Sequence, residues 1–569
     1  MILFYLLLFF VLSVSGEKVV ETKYGKLIGE ESKRFPSVYE FLGVPFAKPP
    51  VGKLRFKEPQ LLEKNAYSKK GLKANVLAKT CFHDRKPTGF RGFDEWDSEN
   101  LTMSEDCLQL NMWVPKEPSN AVLVFIYGRG YHKGSPSTEF YNGKAFATRT
   151  NVTFITINYR LGVLGFGYYK GTKGKKTLIP GNMGLLDQQM ALQWIDENIK
   201  FFGVKKPEIT IMGHGAGASS ATAHLFSEGS RKLFKRVIAA SGTAKNRWAF
   251  ERNNLVEDNF KELIKKLKCN KKNDKEILNC LQEQKPKELF KHSIVNPKQS
   301  VLVGPFLPVE SDDVFLKGNI KDKMRDGKMK KGVDLLLGLE AADAAYFMPQ
   351  FLSGPKYNCG FNKKLPTLDL ANQCCMNETR YRNVLWLIAK DYKINNELFV
   401  NDLREIYDFA FNVAENKYRE RAIKSLTDVV MHCEAIQFGK MFDRNAWGSR
   451  YIFMFNKRNS YNPWPRWMGT THGYELLYFF GHPFVHPELY KENVLEDEKK
   501  FSHKTMKIIK KFVETGFLQD SWDEFSRDDM RGVVLNDNTM LSDLGEHKNM
   551  ERGSCKKLKE ALKIYGAKM

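Results

Sequence analysis

Long apolar runs alternate with helical periodicity through the middle of the chain. Ala121 to Gly128 (AVLVFIYG) and Val152 to Arg160 (VTFITINYR) are rich in aliphatic and aromatic residues, the composition of strands buried on both faces. Met190 to Phe202 (MALQWIDENIKFF) places Leu192, Ile195 and Ile199 on one helical face. Glu208 to Gly213 (EITIMG) is again a strand, and it runs straight into GAGASSATAHLF, a helix start made of small residues. Strands and helices in this order predict a mixed sheet wrapped by helices. No Pro-, Gly- or Ser-rich block interrupts the middle of the chain and no internal repeat is present, so the 569 residues read as one large α/β unit.

The junction of the last strand and helix reads Gly213-His214-Gly215-Ala216-Gly217. Strand, tight turn and helix are the setting of a nucleophile elbow, whose pattern is G-x-S-x-G. Glycine turns at helix starts also cradle dinucleotides, but GxGxG in mid-chain is not that fingerprint.

The first sixteen residues, MILFYLLLFFVLSVSG, are apolar and end in small residues, which predicts a signal peptide (1–16) and a mature domain at 17–569. A signal anchor is the alternative, because no positive residue precedes the run; yet the run is shorter than the roughly 20 residues of a membrane span. No later stretch reads as a transmembrane anchor, and the last residues carry no lipid-anchor signal. Export fits the sequons at Asn100, Asn151 and Asn377. A net charge of +23 spread over scattered lysines gives a soluble surface or one attracted to acidic matrix, anionic membrane or an acidic protein. Nucleic acid is excluded by export and by the absence of any recognition motif. Nine cysteines in an exported chain imply disulfides with a thiol left over. Cys81 with Cys107 and Cys269 with Cys280 close modest loops, and Cys433 with Cys555 ties the last segment to the body. Cys359, Cys374 and Cys375 are left unassigned; adjacent cysteines without a CxxC pair make a poor zinc site, and neither a cofactor nor a metal is expected.

Five segments in order carry a resemblance to the carboxylesterase and cholinesterase family: Phe41 to Phe56, Ser104 to Pro115, Asn158 to Phe166, Gly181 to Ile199 and Trp467 to Gly481. The resemblance runs from about Lys18 to Cys555 and implies an α/β-hydrolase fold, a large mixed and mostly parallel twisted sheet flanked by helices. It also implies the three cysteine pairs above and two structural ion pairs, Arg55 with Glu105 and Arg160 with Asp187.

The same resemblance places His472 at the catalytic histidine, Asp343 at the catalytic acid and Gly215 at the nucleophile, where no side-chain oxygen remains. Arg129, Gly130 and Ala216 fall at the oxyanion-hole positions, with Arg129 in place of a glycine. Trp96 resembles the tryptophan on which cholinesterases stack quaternary ammonium, Trp248 their acyl-pocket tryptophan, and His214 stands where they have glutamate. Non-catalytic relatives such as the neuroligins and glutactin keep this fold, and the G-x-G-A-G-A-S of neuroligins matches Gly213 to Ser219. The expectation is an exported, catalytically inactive protein that acts through binding or adhesion. A weak or rerouted ester hydrolase and a non-cleaving binder of a small ester or amine are the alternatives. The resemblance also allows a homodimer paired through late helices such as Lys504 to Gly516.

Overall fold

The computed structural model describes residues 16–174, 177–293, 304–408, 416–518, 522–540 and 546–567. The signal peptide expected at 1–16 lies outside the described residues except for its last position.

Strands β1 (Glu17–Thr22), β2 (Gly25–Glu31), β3 (Val38–Pro45), β4 (Gln109–Pro115), β5 (Ala121–Ile126), β6 (Thr153–Ile157), β7 (Glu208–His214), β8 (Arg236–Ala240), β9 (Asp334–Glu340), β10 (Arg450–Phe455), β11 (Arg531–Leu535) and β12 (Glu546–Asn549) belong to one sheet. Its order is β1-β2-β3-β4-β6-β5-β7-β8-β9-β10-β11-β12. From β6 through β11 in that order all neighbours are parallel. The margins are antiparallel. Every residue of β5 and β6 is buried, as expected for parallel strands covered by helices on both faces. Met212 of β7 pairs with Phe125 on one side and Ile238 on the other, so the strand that leads into the elbow lies at the centre of the sheet.

Helix α1 (Met183–Asn198) starts before the predicted Met190. Gly184 conceals the earlier start by interrupting the apolar pattern. A Cβ there would stand 2.5 Å from the Phe166 ring and 2.7 Å from the Arg160 carbonyl oxygen, so close packing, not a chain break, sets this glycine. Helix α2 (Ala216–Ala223) follows the elbow. Helix α3 (Glu492–Thr515) contains the segment predicted from Lys504 and ends at Gly516, whose φ of 77° caps it. Its apolar stripe of Phe501, Met506, Ile509, Phe512 and Val513 is buried in the body of this chain.

Two buried ion pairs and four disulfides fix the loops around the sheet. The Arg55 guanidinium meets Glu105 with both prongs, at 2.7 and 2.6 Å, and donates to the carbonyls of Gln282 and Gln284. Arg160 holds Asp187 in the same forked manner at 2.8 and 2.7 Å. Cys81–Cys107, Cys269–Cys280 and Cys433–Cys555 are bonded. Of the unassigned cysteines, Cys359 pairs with Cys374, and Cys375 is a free, exposed thiol.

Asp187 is fully buried, so its removal leaves an uncompensated guanidinium. Asp187→Ala is expected to cost about 3 to 5 kcal/mol, read as a lower melting temperature and a lower denaturation midpoint; an unchanged midpoint would mean that water reaches Arg160.

Candidate active site

One residue, Gly215, links β7 to α2, with φ 55° and ψ −118°. The turn is sharp because the helix begins directly against the sheet. A Cβ on Gly217 would stand 1.9 Å from the Ile126 carbonyl oxygen, and one on Gly213 would stand 2.0 Å from the Gly217 carbonyl oxygen. Those two glycines are steric requirements. At Gly215 a Cβ would meet the His472 ring alone, 3.0 Å from Nε2, a contact that asks the imidazole to retreat by a few tenths of an ångström.

His472 and Asp343 converge on this turn. His472 Nδ1 lies 2.8 Å from Asp343 Oδ1. Asp343 is fully buried in the short 3₁₀ turn Asp343–Tyr346 after β9. Its other oxygen accepts from the Ser241 hydroxyl at 3.2 Å and from the Glu340 N–H at 3.3 Å. Burial and the neighbouring His214 lower the affinity of His472 for a proton, and Asp343 opposes them. The arrangement therefore presents an oriented imidazole, a competent proton acceptor, to a position that has no side chain.

A second buried set, not foreseen from the sequence, lies behind it. His214 Nε2 is 3.1 Å from Glu475 Oε1, and the His214 and His472 ring centres are 4.2 Å apart. Glu475 neighbours Glu340, and both are about 1% exposed. Burial, then the charge of Glu475, raises the Glu340 carboxyl well above the usual range. Burial opposes ionisation of Glu475 as well, but His214 and the Glu340 proton hold it at about 2. The signal was an acidic residue, Glu340, ending the apolar run Leu335 to Leu339. A π-helical turn, Asp428–His432, brings His432 beneath the acid: its Nε2 is 2.7 Å from the Glu340 carbonyl oxygen and 3.8 Å from Asp343 Oδ2. Such turns recur at functional sites.

Arg129 and Gly130 lie in the loop after β5 and Ala216 starts α2, and all three line one cavity with Gly215. Trp96, Trp248, His214 and His472 line the same cavity, of about 210 Å³. Trp96 is 4% exposed and packs edge-on against Phe140 and Tyr474, at 4.7 and 5.8 Å between ring centres. Trp248 is anchored by its Nε1 donating to the Val430 carbonyl at 2.8 Å. Ser219 and Ser220, the nearest hydroxyls along α2, are fully buried and occupied by Tyr131 and Gln188. Neither faces the cavity. Asn100, Asn151 and Asn377 are all exposed.

A strand–turn–helix elbow at the centre of a parallel sheet, with a His–Asp pair aimed at its apex, defines an α/β-hydrolase scaffold. The carboxylesterase family model matches residues 16–555, and the chain belongs to that family. It is 32% identical to acetylcholinesterase 4 of Caenorhabditis briggsae over 89% of this chain and 84% of that protein. It is likewise 32% identical to the cholinesterase of Mus musculus, over 91% of this chain and 83% of that one. Identity to the acetylcholinesterase of Danio rerio is 31%, over 92% and 85%. No helix among the described residues is long and apolar enough to cross a membrane.

The glycine geometry separates two outcomes. Gly217→Ala drives a Cβ into backbone and is expected to cost more than about 3 kcal/mol, whereas Gly215→Ala meets an imidazole and the strain of a positive φ but no backbone, and is expected to cost about 1 to 3 kcal/mol. Equal losses in melting temperature would show that the elbow is looser than these contacts imply.

Buried groups also set the response to acid. Burial holds His224, His432 and His482 neutral, with values near 3, 4 and 3. The unfolded chain binds those protons first, from about pH 6.5, so their contribution to stability is lost as pH falls from there. Burial raises Glu95 and Glu434 to about 7, which acts oppositely: between about pH 7 and 4.5 the folded state keeps protons the unfolded state has released. Below about 4.5 only losses remain, joined by Glu475 and by Asp97, which His83 and Arg85 hold at about 2 against burial. Melting temperature is expected to change little from pH 7 to 5 and to fall steeply from 4.5 to 3. A flat profile to pH 3 would mean that these imidazoles are not buried neutral.

Proposed function

We propose that this protein is an exported, non-hydrolysing member of the carboxylesterase family that acts through binding. The observation that carries the reading is Gly215 at the apex of the elbow, facing His472 Nε2 where the family's serine stands. Without that hydroxyl no acyl-enzyme forms, and loss of the nucleophile from a comparable triad costs on the order of 10⁶ in turnover. Arg129 in the oxyanion loop weakens what is left, since one donor of such a hole is worth on the order of 10² to 10³.

The apolar first sixteen residues, the disulfides and the exposed sequons support passage through the secretory route, with glycans on Asn100, Asn151 and Asn377. A net charge of +23 supports an acidic extracellular partner, matrix polysaccharide or a cell surface. Homodimers paired through exposed late helices remain part of this reading, although the apolar stripe of α3 is spent inside the chain.

The intact Asp343–His472 contact supports a second reading, slow hydrolysis by water on that imidazole. The two are separated by assaying the secreted protein on short-chain aryl esters beside Gly215→Ser. The parent is expected at background, and Gly215→Ser at least about a hundredfold above it, with the gain abolished by His472→Ala. Substantial parent turnover that survives His472→Ala would overturn the proposal.

A further inference from the structure

We infer that the cavity over Gly215 is a receptor for a small carboxylate with an apolar body, of the arylalkanoate type, held by Arg129. This rests on the non-hydrolysing reading and names the class of ligand that the site takes.

The standing charges on the cavity wall are cationic. Among the described residues Arg129 and Lys133 line it beside three imidazoles, His132, His214 and His472, and one phenol, Tyr346, with no Asp or Glu. The acids that support the imidazoles, and Glu95 beside Trp96, do not line it. Asp343, Glu340 and Glu475 are 0 to 1% exposed and lie behind the two imidazoles. Glu95 is bonded to the Tyr474 hydroxyl and lies 3.7 Å from Arg91.

Arg129 itself is unfinished. Among the described residues no carboxylate lies within ion-pair distance of it. Its Nη2 reaches the Tyr346 hydroxyl at a long 3.4 Å, and its Nη1 is buried without a hydrogen-bond partner. A buried guanidinium donor left unpaired is costly, and a carboxylate satisfies two prongs of the fork at once. With no side chain at Gly215, the N-terminal turn of α2, where a negative charge is favoured, opens onto the same cavity as Arg129.

Trp248, Leu307, Phe347, Val430 and Met431 supply an apolar wall. A cavity of about 210 Å³ suits one aromatic ring and a short acidic tail, since cavities of about 150 Å³ already hold benzene. An ammonium ligand meets the opposite conditions. It would face Arg129 and Lys133 with no acid lining the cavity, and the Arg129 guanidinium already lies 6.0 Å from the centre of the Trp96 ring on which it would stack.

The test is calorimetric titration of the full secreted protein at pH 7.5 and low salt with three probes of one shape: 3-phenylpropionate, 3-phenylpropionamide and trimethylphenethylammonium. The carboxylate is expected to bind one-to-one, at least about tenfold tighter than either of the others. Arg129→Gln is expected to remove about tenfold of that affinity, and Arg129→Lys to restore part of it. Ammonium binding as tight as the carboxylate, no binding of any probe at millimolar concentration, or unchanged affinity in a stably folded Arg129→Gln protein would overturn the site. Hydrolysis of methyl 3-phenylpropionate reports separately on the non-hydrolysing reading. The order of affinities among the three probes decides the carboxylate site whichever way that assay falls.

Discussion

The first turn of α2 lies so close to the ends of β5 and β7 that side chains at Gly213 and Gly217 would overlap backbone oxygens. This approach forces a one-residue turn and holds that residue at positive φ, a conformation costly for any residue with a Cβ and nearly free for glycine. Glycine at 215 therefore adopts the turn without strain. The sheet register and the paired glycines do not depend on which side chain stands at the apex. The packing constraint belongs to positions 213 and 217, whereas position 215 faces His472.

The charges around the turn form one coupled set. His214 at the floor lies 3.1 Å from Glu475, and against burial His214 and then the proton on Glu340 keep Glu475 charged. Two carboxyls this deeply buried cannot both ionise without several kcal/mol of penalty, and the imidazole decides which one does. All of that negative charge stays behind the ring of His214. What the cavity meets is the outer layer, imidazoles with Arg129 and Lys133, so the standing charge on its wall is opposite to that of the groups supporting it.

Much of this was legible in the sequence where the signal is local or fixed by family motifs. β5, β6 and β7 are apolar runs whose burial on both faces follows from composition, and the elbow is five consecutive residues. Asp343, His472, both ion pairs and three disulfides could be placed by motif. What escaped was set by tertiary contact. Gly184 reads as a break in the helical pattern, yet it is small because Phe166 and the Arg160 carbonyl sit against it. Glu340 and Glu475 are separated by over a hundred residues and meet only because β9 and the His472 loop end at the same edge of the sheet. The Cys359–Cys374 pair lies in a loop that no pattern constrains, and the π-turn under Asp343 leaves no periodic trace.

The surviving Asp343–His472 bond is often the feature that argues for activity, but its energetics do not require that. Asp343 is fully buried and accepts from His472, Ser241 and the Glu340 N–H. Removing His472 would leave that carboxylate short of a partner in a low-dielectric interior, a loss of about 3 to 5 kcal/mol for a broken buried pair. Removing Asp343 would leave the Ser241 hydroxyl and the His472 Nδ1 unmatched. Each member is thus retained by the cost of stranding the other, which is a folding constraint and applies whether or not a serine stands at 215. Gly215 has no such partner: the His472 Nε2 that it faces opens on the cavity and can be satisfied by water or by a ligand O–H. A glycine at the apex is therefore compatible with the same packing that holds Asp343 and His472 together.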